Sequence, residues 1–88
     1  MGPVELTLYS RPGCHLCDDM KAIVAPVARE LGCTVREVDI SGQPELESRF
    51  GQEIPVLFIG ERKAFKYRLT EPALRRRLRA RREYTRPA

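Results

Sequence analysis

Two cysteines separated by two residues, in the segment Cys14-His15-Leu16-Cys17, are the part of this sequence whose residue types and spacing could carry chemistry. A thiolate is a nucleophile, and a second thiol one helical turn away can attack the mixed disulfide that the first one forms. The pair therefore has what thiol–disulfide exchange requires. Its place in the chain matters as much as its spacing. An alternating apolar run stops at Ser10-Arg11-Pro12-Gly13, and a helical stripe begins just beyond. Cys14 is thus expected at or near a helix N-cap, where unpaired backbone N–H groups and the positive end of the helix dipole favour a thiolate. There a cysteine pKa falls from ~8.5 by as much as several units, which makes it a nucleophile at neutral pH. Cys17, one turn into the helix, is expected to be more buried and to stay a thiol that resolves the mixed disulfide. Arg11 and His15 add positive charge nearby, whereas Asp18 and Asp19 oppose ionisation.

The same thiols admit other chemistry. Zinc could be held by Cys14 and Cys17 with His15 or Cys33, but the usual pattern needs a second close pair of ligands, and the chain has three cysteines and one histidine. Haem attachment needs a histidine directly after Cys17, and Asp18 stands there. An iron–sulfur carrier built on Cys14 is a further use of the same sulfur. Cys33 reads most simply as a small buried hydrophobe. One close pair and one outlier is not the framework of a secreted disulfide mini-protein, and points to a reducing compartment.

The elements that must position the pair are legible from periodicity. Val4, Leu6 and Leu8 alternate with polar neighbours and Tyr9 faces the other way, so this run reads as a strand. Leu16, Met20, Ile23, Val24, Val27 and Leu31 trace one stripe of a helix that Gly32 ends. Pro26 lies inside that stripe, which predicts a kink or a helix in two pieces. Thr34 to Ile40 is a second strand, parallel to the first because a helix joins them. Pro44 to Phe50 predicts a short helix closed by Gly51, and the continuous apolar run Val56 to Ile59 a central strand. Pro55 stands at the very start of that strand, one of the few strand positions open to proline, and its peptide bond could be cis or trans. After a turn at Gly60-Glu61-Arg62, the residues Ala64 to Leu69 alternate as a hairpin partner. Thr70 can cap a last helix, with Glu71 and Pro72 in its first turn and Ala73, Leu74 and Leu78 facing inward. Beyond Leu78 the stripe fails, so that helix is expected to project into solvent or fray. The result is an α/β fold of order β-α-β-α-β-β-α with a four-stranded mixed sheet flanked by helices. It is expected as a single domain over residues 1–84, with residues 85–88 as a flexible tail.

Composition bounds the rest. With 88 residues, 42% hydrophobic and 32% charged, the chain can hold one small domain and excludes a multidomain enzyme. No run approaches the roughly 20 apolar residues of a membrane helix, and the N-terminus lacks a basic, apolar leader, so a cytoplasmic protein without membrane contact is expected. The charge is uneven. Residues 1–60 carry five basic and nine acidic side chains, residues 61–88 eleven basic and three acidic. Seven arginines fall between Arg75 and Arg86, a density that could serve a module binding nucleic acid or an acidic partner. Stacking aromatics are sparse there, with only Tyr84 nearby, so the preferred reading is a solvated helix face on a monomer, with nucleic acid not expected as a partner.

The stretches Leu8-Tyr9-Ser10-Arg11-Pro12-Gly13-Cys14-His15-Leu16-Cys17, Val38-Asp39-Ile40 and Ile54-Pro55-Val56-Leu57-Phe58-Ile59-Gly60 together resemble a small bacterial glutaredoxin-like protein of the thioredoxin superfamily. The resemblance implies a thioredoxin-like fold and a thiol–disulfide oxidoreductase with Cys14 as nucleophile and Cys17 as resolving thiol. It further implies that Pro55 is cis and faces the cysteine pair, that Ile54 offers its backbone to an extended peptide or to glutathione, and that Arg11 supplies positive charge near a carboxylate. Glutaredoxins usually carry a Gly-Gly-x-Asp turn before the last helix, and here Lys66-Tyr67-Arg68-Leu69-Thr70-Glu71 stands in its place. Side chains at Tyr67, Arg68 and Leu69 would crowd the space that two glycines leave open. Arg68, Thr70 and Glu71 are the candidate replacements: a guanidinium for a carboxylate, a hydroxyl, and a carboxylate for an amino group. The expected substrates are accordingly a disulfide-containing protein or small thiol, with a cellular dithiol as reductant, glutathione at most a weak co-substrate, and no tightly bound cofactor or metal.

Overall fold

The computed structural model describes residues 4–85, with side chains described through residue 80. The described residues form β1 (Glu5–Ser10), α1 (His15–Leu31), β2 (Thr34–Asp39), α2 (Pro44–Phe50), β3 (Val56–Ile59), β4 (Arg62–Lys66) and α3 (Glu71–Thr85). The strands make one sheet of order β2-β1-β3-β4. β1 pairs in parallel with β2, while β1 with β3 and β3 with β4 are antiparallel. This is the thioredoxin-like arrangement, a βαβ half followed by a ββα half.

Alternation along β1 assigns its two faces to two cores. Leu6 and Leu8 join Leu57 and Ile59 against Met20, Val24, Val27 and Ala28 of α1 and Leu74 and Leu78 of α3. On the other face Tyr9, Val56 and Phe58 pack with Ile40 and with Leu46 and Phe50 of α2. The Tyr9 and Phe50 rings stack with centroids 4.6 Å apart, and Phe58 meets both edge-on. Because β1 and β3 carry helices on both sides, their apolar side chains are buried or, at Tyr9 and Phe58, half-buried, whereas the edge strand β2 is mostly exposed and leaves Val35 open to solvent.

The sequence reading of three details is corrected. Of the two outcomes expected at Pro26, the helix in two pieces is excluded: α1 runs unbroken through Pro26, which is exposed and so lies off the core stripe. β4 starts at Arg62 and ends at Lys66 instead of spanning Ala64 to Leu69. Its register shifts against β3, with Phe65 opposite Leu57 but Lys63 opposite Phe58, so Ala64 is an extra, bulged residue that breaks simple alternation. The hairpin closes through Gly60, whose φ of 61° suits the first position of a tight two-residue turn. At the C-terminus, α3 takes in Thr85, the first residue of the expected tail, and the rest of that tail lies outside the described residues.

The chain leaves β4 abruptly. Tyr67 has φ 68°, and the Arg68 N–H donates to the Lys66 carbonyl at 2.8 Å, closing a three-residue turn. A left-handed backbone costs a non-glycine residue roughly 1 to 2 kcal/mol. No other described non-glycine residue adopts a positive φ.

Candidate active site

One end of the sheet collects the loops that matter. Tyr9 lies opposite Val56, and Val56 opposite Lys66, so the end of β1, the start of β3 and the end of β4 share that end. The Arg11–Gly13 loop leads from it to Cys14, Ile54-Pro55 enters β3 there, and residues 67–70 leave β4 there for α3.

Cys14 occupies the N-cap of α1, with φ −96° and ψ 110°, and its Sγ accepts the Cys17 N–H at 3.1 Å. Its carbonyl takes the first helical bond, from the Asp18 N–H at 3.1 Å. Gly13, φ 77°, makes the turn that brings the strand exit round to this cap. The two sulfurs are joined as a disulfide, with Cα atoms 5.2 Å apart. Cys14 is half-buried and Cys17 is 3% exposed, so the outer sulfur of the pair is the one at the helix start.

The Ile54–Pro55 peptide bond is cis. Pro55 is buried and Ile54 half-buried against the aromatic core of α2. Arg11 pairs with Glu47 of α2, and its guanidinium lies along the end of that helix, where a Cβ added at Gly51 would stand 3.6 Å from its Nη2. The Thr70 hydroxyl accepts the Ala73 N–H at 3.3 Å and so caps α3, as its residue type suggests. Glu71 accepts from Arg75 Nε at 2.9 Å, and the same guanidinium forks onto both carboxylate oxygens of Glu30 on α1 at 2.9 Å each. That fork holds the Glu30 carboxyl below its ordinary range and links α3 to α1 at the surface. Arg68 is exposed and follows the left-handed Tyr67. Cys33 lies beyond the far end of α1, about 25 Å of helix away from Cys14 at 1.5 Å per residue, so it belongs to a different end of the molecule. Among the described residues no three His, Cys, Asp or Glu side chains gather as a metal-ligand set.

Two participants carried no local signal. Glu47 sits 36 positions from Arg11, and only the packing of α2 beside the Arg11 loop brings them together. Tyr67 was expected as an alternating strand residue; its N–H still donates to the Pro55 carbonyl at 2.9 Å, but its backbone turns to a positive φ and its hydroxyl donates to the Gln52 carbonyl at 3.0 Å. Beneath β1, Ser10 donates to Glu37 at 3.0 Å and Lys21 to the same carboxylate at 2.9 Å, and the lysine holds that carboxyl below its usual range.

Residues 5–79 match the model of the glutaredoxin-like domain family, DUF836. The chain belongs to that family. A glutaredoxin-like protein of Dictyostelium discoideum, named as a YDR286C homolog, is 30% identical over 77 residues, covering 81% of this chain and 71% of the relative. The crystal structure of a Xanthomonas campestris protein superposes with TM-score 0.67 at 36% identity, over 85% of this glutaredoxin-like chain and 96% of the other. A thioredoxin from Halobacterium salinarum reaches TM-score 0.67 over 99% of this chain and 79% of its own at 22% identity, a likeness of fold alone. Family and fold agree with a close cysteine pair at the start of α1, and no described helix is long and apolar enough to cross a membrane.

Proposed function

We propose that this glutaredoxin-like protein is a thiol–disulfide oxidoreductase that works through Cys14 and Cys17. The observation that carries the reading is the pair itself: a disulfide across the first turn of α1, with Cys14 as the more exposed sulfur at the N-cap. In the reduced protein the Cys14 thiolate, favoured by the helix start, attacks one sulfur of a substrate disulfide. The Cys14–substrate bond forms, and the other substrate sulfur leaves with the electron pair and takes a proton from solvent. Cys17 then gives up its proton and attacks Cys14 Sγ, the second substrate sulfur leaves as a thiol, and the Cys14–Cys17 disulfide closes. The substrate has gained two electrons and the protein has lost two. A cellular dithiol returns them by the reverse steps.

The preferred substrate is a protein or small-molecule disulfide, presented as an extended chain to the Ile54 backbone beside Pro55, with glutathione a weak co-substrate. Two observations support weak glutathione use. The Thr70 hydroxyl already accepts a cap bond and one oxygen of the Glu71 carboxylate is taken by Arg75, so each would meet a ligand's amino group in competition with a partner it already holds. Arg11 likewise faces Glu47, which competes with any substrate carboxylate. The protein is expected to work as a cytoplasmic monomer without a tightly bound cofactor. Nucleic acid is not expected to bind α3: Arg75 is held by Glu30 and Glu71, and Arg77 lies over the Phe65 ring at 5.6 Å.

The test is trapping. Replacing Cys17 by Ser should leave a stable mixed disulfide on Cys14, and replacing Cys14 should abolish exchange. Alkylation of the reduced protein at about pH 6 to 7 that marks Cys17 before Cys14 overturns the assignment. A visible absorption band after anaerobic reconstitution with iron and sulfide would favour the iron–sulfur alternative.

A further inference from the structure

Tyr67 stands out at the cysteine end of the sheet because a strained backbone and two hydrogen bonds meet in one residue. Its φ of 68° is what a glycine adopts without strain, yet a bulky ring occupies the position. A residue keeps such a conformation only when its surroundings over-determine it, and here the surroundings are specific. The Tyr67 N–H donates to the Pro55 carbonyl at 2.9 Å, and the phenol hydroxyl donates to the Gln52 carbonyl at 3.0 Å. Both acceptors belong to the short segment that leads from α2 into β3. They bracket Ile54, the residue whose backbone the proposed exchange reaction presents to substrate.

That segment is fastened to β4 by more than Tyr67. Glu53, between the two acceptors, accepts from Lys63 at 2.7 Å and faces Lys66 at 3.9 Å. Lys66 in turn lies over the Tyr67 ring, 5.5 Å from its centroid. The ion pairs are exposed at the surface and contribute little rigidity. The Tyr67 hydroxyl bond is exposed as well, but together with the N–H bond it grips main-chain carbonyls on either side of Ile54 and so bears on the path of the backbone itself. Val56 pairs with Lys66, so the Tyr67 N–H bond to Pro55 is the next step of the antiparallel β3–β4 ladder. The positive φ departs from the strand at this same residue, whose hydroxyl reaches the Gln52 carbonyl on the other side of Ile54.

We propose that Tyr67 is a positioning residue of the exchange site, holding the Gln52–Pro55 segment so that the Ile54 backbone can pair with an extended substrate chain. The role rests on the oxidoreductase reading and makes no demand on the sulfur chemistry itself. A small disulfide without a peptide backbone should therefore not depend on it.

The experiment compares two substrates with dithiothreitol as the reductant. One is bis(2-hydroxyethyl) disulfide. The other is a short extended peptide whose single cysteine carries a thionitrobenzoate disulfide. Tyr67→Phe removes only the bond to Gln52, and Tyr67→Gly keeps the turn while removing the ring. Both variants should raise KM for the peptide, by about five- to tenfold for loss of one hydrogen bond of roughly ordinary strength. Both should leave kcat for the peptide, turnover of the small disulfide and the reduction potential of the Cys14–Cys17 pair within about twofold or unchanged. An unchanged peptide KM in both variants overturns the role of Tyr67. So does an equal loss on both substrates, which is the mark of a merely structural residue. If the wild-type protein turns over neither substrate, the oxidoreductase reading falls and Tyr67 falls with it. Turnover of the small disulfide with an unaffected peptide KM refutes Tyr67 alone.

Discussion

Reducing the Cys14–Cys17 bond should destabilise the fold by an amount that follows from the size of the loop it closes. The sequence separation is 3, so the closed loop holds four residues, from Cys14 to Cys17. In the chain-entropy treatment a cross-link around so short a loop removes about 6 cal/mol/K from the unfolded ensemble, or about 1.9 kcal/mol at 25 °C. The folded side opposes this in part. Reduced Cys14 sits at the N-cap of α1, where a thiolate interacts favourably with the helix dipole by about 0.3 to 1 kcal/mol. The net expectation is that the oxidised form is more stable by about 1 to 1.5 kcal/mol. For a domain of this size that corresponds to a melting temperature roughly 4 to 12 °C higher. The same quantity must appear in the redox equilibrium. A fold that is stabilised by its disulfide makes the folded dithiol the better reductant, by about 20 to 35 mV relative to the unfolded pair, at 30 mV per 1.4 kcal/mol. The assay is a pair of thermal melts, oxidised and dithiothreitol-reduced, with a titration of the pair in defined thiol buffers. A reduced protein that melts at or above the oxidised one refutes the reasoning: stabilisation of the Cys14 thiolate would then outweigh the cross-link, and the protein would be an oxidant.

Further expectations concern the elements around the site. Leu78 is the last buried residue of α3 among those whose side chains are described, so Leu78→Ala should cost about 2 to 5 kcal/mol in urea unfolding; a loss below about 1 kcal/mol would remove that turn from the core. The Lys21–Glu37 pair lowers the Glu37 pKa and raises that of Lys21, so its stabilising contribution is present above the carboxylate range and below the lysine range. It fades as pH falls through the folded Glu37 value. Lys21→Met should therefore be less stable than wild type near neutrality and converge with it in acid, and parallel stability curves across that range would count against the pair. In a glutathione-disulfide assay, turnover should be weak, and Arg68→Ala should weaken it further if that guanidinium takes the ligand carboxylate; turnover at the level of ordinary glutaredoxins would contradict the reading of the turn before α3.

What the sequence alone determined is what short-range physics writes into neighbouring residues. The 3.6-residue stripe of α1, the apolar run of β3, Pro44 to Phe50 as a helix, and Thr70 as a cap all depend on residues within a turn or two of one another, and all stand as read. The position of Cys14 at a helix start is of the same kind, since a strand, a Pro-Gly turn and an amphipathic stripe leave it nowhere else to fall. Tertiary structure alone decided what depends on distant partners. Nothing near Arg11 announces Glu47, and the sheet order that sets β3 beside β1 is a matter of closing both cores at once. Tyr67 is the clearest case. Alternation along Phe65, Tyr67 and Leu69 argues for continued strand, and an L-residue with a bulky side chain argues against a left-handed turn. The bulge at Ala64, the short path to α3, the turn bond from Arg68 to Lys66 and the Gln52 carbonyl that takes the Tyr67 hydroxyl override both arguments. Local preference amounts to a kilocalorie or two per residue, and hydrogen bonds made across the sheet end are of comparable size, so only the assembled fold determines which prevails.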